Sequence, residues 1–307
     1  VSADDRQSHR YGARSKFYQL MIASAVFGFS LGVVGVLQNI LASVGTNARR
    51  RQRILSGLHS VYGVSSLLAP LSVAWIAHLG GDWRSVFIAI SIVPFLLFLA
   101  AFSNRREEPL SKLKFDPSEK SKSGLQGGEW AQYYMGFALG LYVLAEMMMA
   151  TRLALYVRRV DGMDLTESSY YLTSFFVCLL AGRLLFALLP FRWPLRSMLS
   201  VSLVATALCI TLGIIASPVF FALSGFFMGP FYPLAVAYLY KHFSDRIDAA
   251  ISTCMAIQAF LTVLMHAGVG YLTDVYGISQ ALWVGPAALL LALLVLNSFE
   301  RVFKKRV

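Results

Sequence analysis

The sequence predicts an all-α polytopic membrane protein, and three observations predict it. The 307 residues are 57% hydrophobic and only 14% charged, whereas soluble domains carry about 25% charged residues. The apolar residues fall into nine runs, each near the ~20 residues a helix needs to cross the hydrocarbon core. The net charge of +11 comes from Lys and Arg gathered between those runs, as the positive-inside bias requires. That clustering explains the charge without invoking nucleic acid.

The runs cover roughly 17–44, 55–79, 84–103, 131–157, 166–190, 196–216, 218–241, 248–271 and 280–299. One long polar segment interrupts them, "NRREEPLSKLKFDPSEKSKSGLQGG" at 104–128. Its Pro, Ser, Gly and mixed charge are the composition of a linker. The expected organisation is therefore a partial N-terminal bundle over 1–103, a cytoplasmic linker over 104–128 and a six-helix bundle over 129–307. Placing "NARRRQR" (47–53) as a cytoplasmic loop puts the linker, "FRWPLR" (191–196), "KHFSDR" (241–246) and the tail on the same side. Together these segments hold 18 of the 27 Lys and Arg residues. The basic opening "VSADDRQSHRYGARSK" fits the opposite side badly and reads as cytoplasmic. It shows no signal peptide and begins without Met, so the first span is expected to insert the chain and the true N-terminus to lie elsewhere. Cys178, Cys209 and Cys254 all sit in apolar runs, where thiols act as small packing residues. Their spacing suggests neither a disulfide framework nor a metal site.

Glu146 stands near the middle of "LYVLAEMMMATRLALYVRR" (141–159). A charge at the bilayer centre costs about 2.5–3.5 kcal/mol on insertion scales, so a reason for keeping it is required. Low dielectric disfavours the charged form, so Glu146 can take up a proton and can accept hydrogen bonds from the hydroxyls of a solute. The alternative is a structural pair with an Arg or Tyr across the bundle. Tyr142 is a further candidate on the same helix. The neighbouring Met147–Met149 run reads as packing. Arg152 lies six residues beyond Glu146, about 240° around the helix, and reads as an outer-rim anchor whose stem snorkels or as part of a gate. Cys254, Gln258, Thr262 and His266 recur every four residues and share one helical face, expected to point toward a watery cavity. Gln258 and Thr262 suit a polar solute and His266 titrates near neutral pH; interhelical hydrogen bonding explains the stripe equally well. "GPFYP" (229–233) puts two prolines in mid-span, which frees carbonyls and bends the helix beside Tyr232. "DGMD" (161–164) precedes a helix with Glu167 in its first turn, and helix capping explains these acids better than a metal.

Several stretches carry a resemblance. "YLTSFFVCLLAGRLL" (171–185), "FFMGPFYPLAVAYLYKHF" (226–243) and "GVGYLTDVYG" (268–277) resemble the second half of the fucose-permease-like branch of sugar/proton symporters in the major facilitator superfamily. "LHSVYGVSSLLAP" (58–70) resembles that branch's fifth helix and "GFSLGVVGVLQN" (28–39) its fourth. The resemblance implies a two-bundle fold in which the nine spans correspond to helices 4–12 of twelve. "DRQSHRYGARSK" is then similar to the family's loop between helices 2 and 3. The resemblance also implies site roles. Glu146 falls where related carriers have Glu or Gln, Arg183 belongs to a Gly-Arg pair in a network that latches the bundles, and His59 and Ser60 fall where a polar residue faces substrate. Relatives often carry an acid on helix 4, where this chain has Gly35 with Gln38 and Asn39 nearby.

These readings converge on a secondary active transporter for a small polar, sugar-like solute, proton-coupled and working by alternating access. An exporter of amphiphilic compounds on the same fold is the main alternative, and a truncated, transport-incompetent remnant is another. No Walker-type loop is present, so ATP drive is not encoded here. No catalytic constellation supports an enzyme, and no cofactor or metal is implied. The expected partners are the solute, protons and lipids around a monomer in the bacterial cytoplasmic (inner) membrane.

Overall fold

The computed structural model describes residues 17–34, 48–81, 83–103, 130–188, 193–243 and 247–303. All regular elements among them are helices: α1 (Phe17–Val34), α2 (Ala48–His78), α3 (Trp83–Ser103), α4 (Trp130–Arg159), α5 (Leu165–Leu188), α6 (Leu195–Ile215), α7 (Val219–Met228), α8 (Phe231–His242), α9 (Ile247–Tyr276), α10 (Ile278–Ala281) and α11 (Val284–Phe303). Among the described residues, eight spans are long and apolar enough to cross a membrane, and Gly63–His78 is a shorter apolar stretch. The all-α polytopic class follows directly.

The second span corrects one expectation. Helix α2 begins at Ala48, so the basic segment expected as a loop at 47–53 is helical from its second residue. Arg and Gln are good helix formers, and nothing obliges a helix to stop at the membrane surface. The seventh span is split, with α7 ending at Met228 and α8 starting at Phe231. The last is split too, into α10 and α11.

The chain divides into two compact units, residues 1–62 with 106–117, and residues 63–105 with 118–307. In the first, every α1 side chain is exposed, as suits an apolar helix made for lipid. In the second, the buried core runs from Ala131 to Phe299. There α4 packs against α5, α9 and α11, α5 against α7, and α6 against α7, α8 and α11. A reciprocal cap starts α5: the Glu167 amide donates to Asp164 Oδ1 at 2.7 Å and the Asp164 amide to Glu167 Oε2 at 3.1 Å. This is a capping box with Asp at the N-cap, so the acids of "DGMD…E" serve the helix end. Gly162, at φ 70°, makes the turn that precedes it. Burial raises the neighbouring Asp161 carboxyl above its ordinary value.

Candidate functional site

The site is built around the break between α7 and α8. Pro230 and Pro233 have no N–H, so the carbonyls of Phe226 and Gly229, their i−4 partners, lose helical donors. Side chains from three helices serve the carbonyls at this break. Arg183 Nε on α5 donates to Gly229 O at 3.2 Å. The Tyr142 hydroxyl on α4 donates to Met228 O at 2.8 Å. Ser202 Oγ on α6 donates to Phe227 O at 2.6 Å. Tyr142 also stacks on Phe231, the first residue of α8, with ring centroids 3.9 Å apart. Unmet carbonyls in a membrane interior are costly, so these bonds explain how the break persists.

Glycines allow the approach. Gly225 of α7 and Gly229, which caps its C-terminal end, lie one turn apart, and a Cβ would strike the backbone carbonyl oxygen of Phe175 on α5 at the first and that of Leu179 at the second. A Cβ at Gly182 would strike the Phe226 carbonyl, one of the two that the prolines strand. Arg183 is the next residue, and this close seam delivers it to the break.

Arg183 also reaches Glu146. Its Nη2 lies 3.6 Å from Glu146 Oε1, with side chains 29% and 12% exposed. At that distance the pair is an ion pair rather than a short charge-assisted hydrogen bond. Tyr142 stands one turn before Glu146 and lies within its electrostatic reach, as does Tyr232 on α8. Glu146, Arg183, Tyr142 and Tyr232 therefore form one cluster, and both kinds of partner weighed for Glu146, an Arg and a Tyr, are present. Arg183 sits inside the bundle against Glu146 and the Gly229 carbonyl.

The polar stripe on α9 has a graded environment. Cys254 and Gln258 are buried against Gly136 and Gly140 of α4. Thr262 donates to its own helix at Gln258 O, at 2.8 Å. His266 is exposed and lies one turn before Gly270, which the Arg152 guanidinium approaches. Gln38, Asn39 and Gly35 lie outside the described residues. His59 and Ser60 fall within α2, with side chains outside the described set. The glycine pairs Gly136/Gly140 and Gly225/Gly229 were missed as a signal, although both spell the G-x-x-x-G pattern of closely packed membrane helices.

Comparisons with known proteins agree with this architecture. A search of solved structures found a Major Facilitator Superfamily transporter, FucP, in the outward conformation, at TM-score 0.50 and 18% identity, covering 89% of this chain and 65% of that one. Among curated proteins, a multidrug efflux pump, SdrM, of Staphylococcus aureus (strain N315) is 31% identical over 34% of this chain and 24% of its own length. An uncharacterized MFS-type transporter of Yersinia pestis is 26% identical over 54% of this chain and 41% of its own. A TsgA homolog of Erwinia tasmaniensis is 25% identical over 60% and 48%. The chain thus spans a quarter to a half of the length of these curated relatives. The Major Facilitator Superfamily profile matches residues 11–190, more than half of the chain, and with the helical architecture above this places the chain in the major facilitator superfamily.

Proposed function

We propose that the protein is a secondary carrier for a small polar, sugar-like solute, coupled to protons and working by alternating access in the bacterial cytoplasmic membrane. In this reading residues 1–103 and 129–307 belong to two bundles joined by the 104–128 linker. The observation that carries it is Glu146, held near the middle of α4 with Arg183 at 3.6 Å. Carriers of this type bind solute at the midplane, and an ionisable group there is a functional candidate by default. Charged Glu146 holds Arg183. A proton on Glu146 removes that attraction and frees the guanidinium and the carboxyl for solute hydroxyls, beside Tyr232. Because Arg183 also donates to Gly229 O, its release loosens the α7/α8 break, so proton, solute and helix geometry meet in one residue.

The test uses full-length protein in proteoliposomes, with labelled sugars and a pH gradient imposed or absent. Glu146→Gln mimics the protonated form. It should retain solute exchange and lose gradient-driven accumulation. Accumulation equal to that of the parent would overturn the coupling role and leave Glu146 a structural partner.

A second reading, export of amphiphilic compounds, has its own support. A cavity of about 490 Å³ is lined almost wholly by apolar residues of α2, α3, α4 and α5, among them Val73, Ile90, Leu172 and Phe176. That volume lies in the range of small-molecule sites, and one partial relative is titled a multidrug efflux pump. Proton-driven extrusion of a lipophilic cationic dye, uncontested by sugars, would favour this reading over the first.

A further inference from the structure

The most exposed end of the α9 stripe meets a residue that the proposed coupling cluster does not use. Helices α4 and α9 keep one register along their seam: Gly136 faces Cys254, Gly140 faces Gln258, and Arg152 faces Gly270. Gly270 lies one turn beyond His266, so Arg152 and His266 share the same stretch of seam, within electrostatic reach of each other. Arg152 Nε is buried and has no hydrogen-bond partner among the described residues. The guanidinium has no acidic partner there either: the ion pair found in this bundle belongs to Arg183. Asp274, two turns beyond His266 on α9, and Asp161, past the end of α4, form no ion pair with it. Gly270 leaves the space beside the guanidinium open, since a Cβ there would meet only Arg152 Nη2, at 3.9 Å. His266 is exposed, so no described residue covers that side of the site. Arg158 and Arg159 in the last turn of α4 add positive charge toward the same helix end.

We propose that Arg152 and His266 form an anion-binding point for a carboxylate carried by the solute. An unpaired guanidinium within a membrane span is expensive to keep, and its planar fork of donors matches a carboxylate in two parallel hydrogen bonds. An imidazole at its side adds a third donor from a second helix. The substrate class narrows accordingly from a neutral sugar to a sugar acid. The inference rests on the carrier reading only in taking the anion to be part of the transported solute; binding itself is measured without transport.

The experiment follows ligand-induced thermal stabilisation of purified full-length protein in phosphatidylcholine nanodiscs. Glucuronate is compared with glucose at matched ionic strength, since a ligand that binds the folded state raises its stability in proportion to ln(1 + [L]/Kd). Glucuronate should bind at least about tenfold tighter than glucose in the parent, and Arg152→Gln should remove that preference while leaving glucose unchanged. His266→Gln should weaken glucuronate by about threefold. Arg152→Lys, which keeps the charge without the fork, should fall in between and decides the matter if Arg152→Gln does not fold; no loss in Arg152→Lys overturns the assignment. Stabilisation by glucose alone overturns the anion point and spares the carrier reading. Equal stabilisation by both sugars, unchanged in Arg152→Gln, does the same. Stabilisation by neither overturns the anion point and leaves the carrier reading to the transport assay. Stabilisation by phosphatidylglycerol in the nanodisc but not by glucuronate assigns Arg152 to a lipid headgroup and overturns the solute assignment.

Discussion

Two seams of the bundle use the same G-x-x-x-G spacing to different ends. On α4, Gly136 and Gly140 face mainly the side chains of α9, where an added Cβ would first meet Ile257 Cδ1 and Leu261 Cδ1, each at 2.6 Å, and at Gly136 the Cys254 Cα only at 3.3 Å. At the end of α7, Gly225 and the capping Gly229 face the backbone of α5, where an added Cβ would meet carbonyl oxygens. The ends of Ile and Leu side chains can rotate away, whereas a helical carbonyl cannot move without its helix. The first seam therefore sets a packing distance, and the second fixes two backbones. The second is also the seam that brings Arg183 to Glu146 and to the freed Gly229 carbonyl. Tolerance to substitution should separate the two and show whether the rigid seam is the one that matters for function.

The largest effect is expected at Gly182. Gly182→Ala drives a methyl into the Phe226 carbonyl and should destabilise the full-length protein by about 3 kcal/mol or more, since overpacking here has no flexible partner to absorb it. The helix-propensity gain of Ala, ~1 kcal/mol, does not offset that. Unfolding by SDS titration checks it, and a variant as stable as the parent would mean that α5 and α7 can slide. Next comes Arg183→Met, which strands Glu146 and the Gly229 carbonyl together. Removing one partner of a fully buried pair costs about 3–5 kcal/mol. This pair is partly exposed, so about 2–3 kcal/mol is expected after solvent screening. In a double-mutant cycle, Glu146→Gln should recover part of that loss in the Arg183→Met background, because the stranded carboxylate is then gone. Strict additivity would show that the pair carries no energy.

Much of this was legible in the sequence, for reasons that are local. Apolar run length gave the spans, the prolines of "GPFYP" gave the break, and Asp164 with Glu167 gave the cap, because each depends on residues within a turn or two of one another. Glu146 announced that it needed a partner, since an acid in mid-span must have one. That the partner is Arg183, 37 positions later, depends on how α5 docks, and no spacing within a helix encodes that. The same limit hid the approach of the Arg152 guanidinium to Gly270, one turn beyond His266, which follows only from the register of α4 on α9. The helical start of α2 was hidden by reading charge as loop, although Arg-rich segments extend helices readily.

A smaller effect tests the break itself. Tyr142→Phe keeps the ring stacked on Phe231 and removes the hydroxyl that donates to Met228 O and lies beside Glu146. Leaving that carbonyl unserved should cost about 1–2 kcal/mol. Amide hydrogen exchange should rise around the α7/α8 junction and stay unchanged on α9. A uniform rise across the bundle would argue that Tyr142 acts through general packing.

The smallest effect is expected at Gly140, and its smallness is informative. Gly140→Ala pushes a methyl toward Leu261 Cδ1 at 2.6 Å, with Ile257 Cγ2 at 3.5 Å and the Gln258 Cα at 3.6 Å. Only the first must move, and it is the far end of a side chain that is itself only partly buried. Moving one Leu rotamer costs about 1 kcal/mol, and replacing a mid-helix Gly with Ala returns about the same. The two nearly cancel, so stability should stay within ~0.5 kcal/mol of the parent, while the methyl nudges α9 near Gln258. If the α4/α9 seam only sets a distance, solute affinity should shift by less than about threefold. A loss of stability approaching that of Gly182→Ala would show that α4 and α9 are locked as tightly as α5 and α7, and the contrast between the two seams would fall.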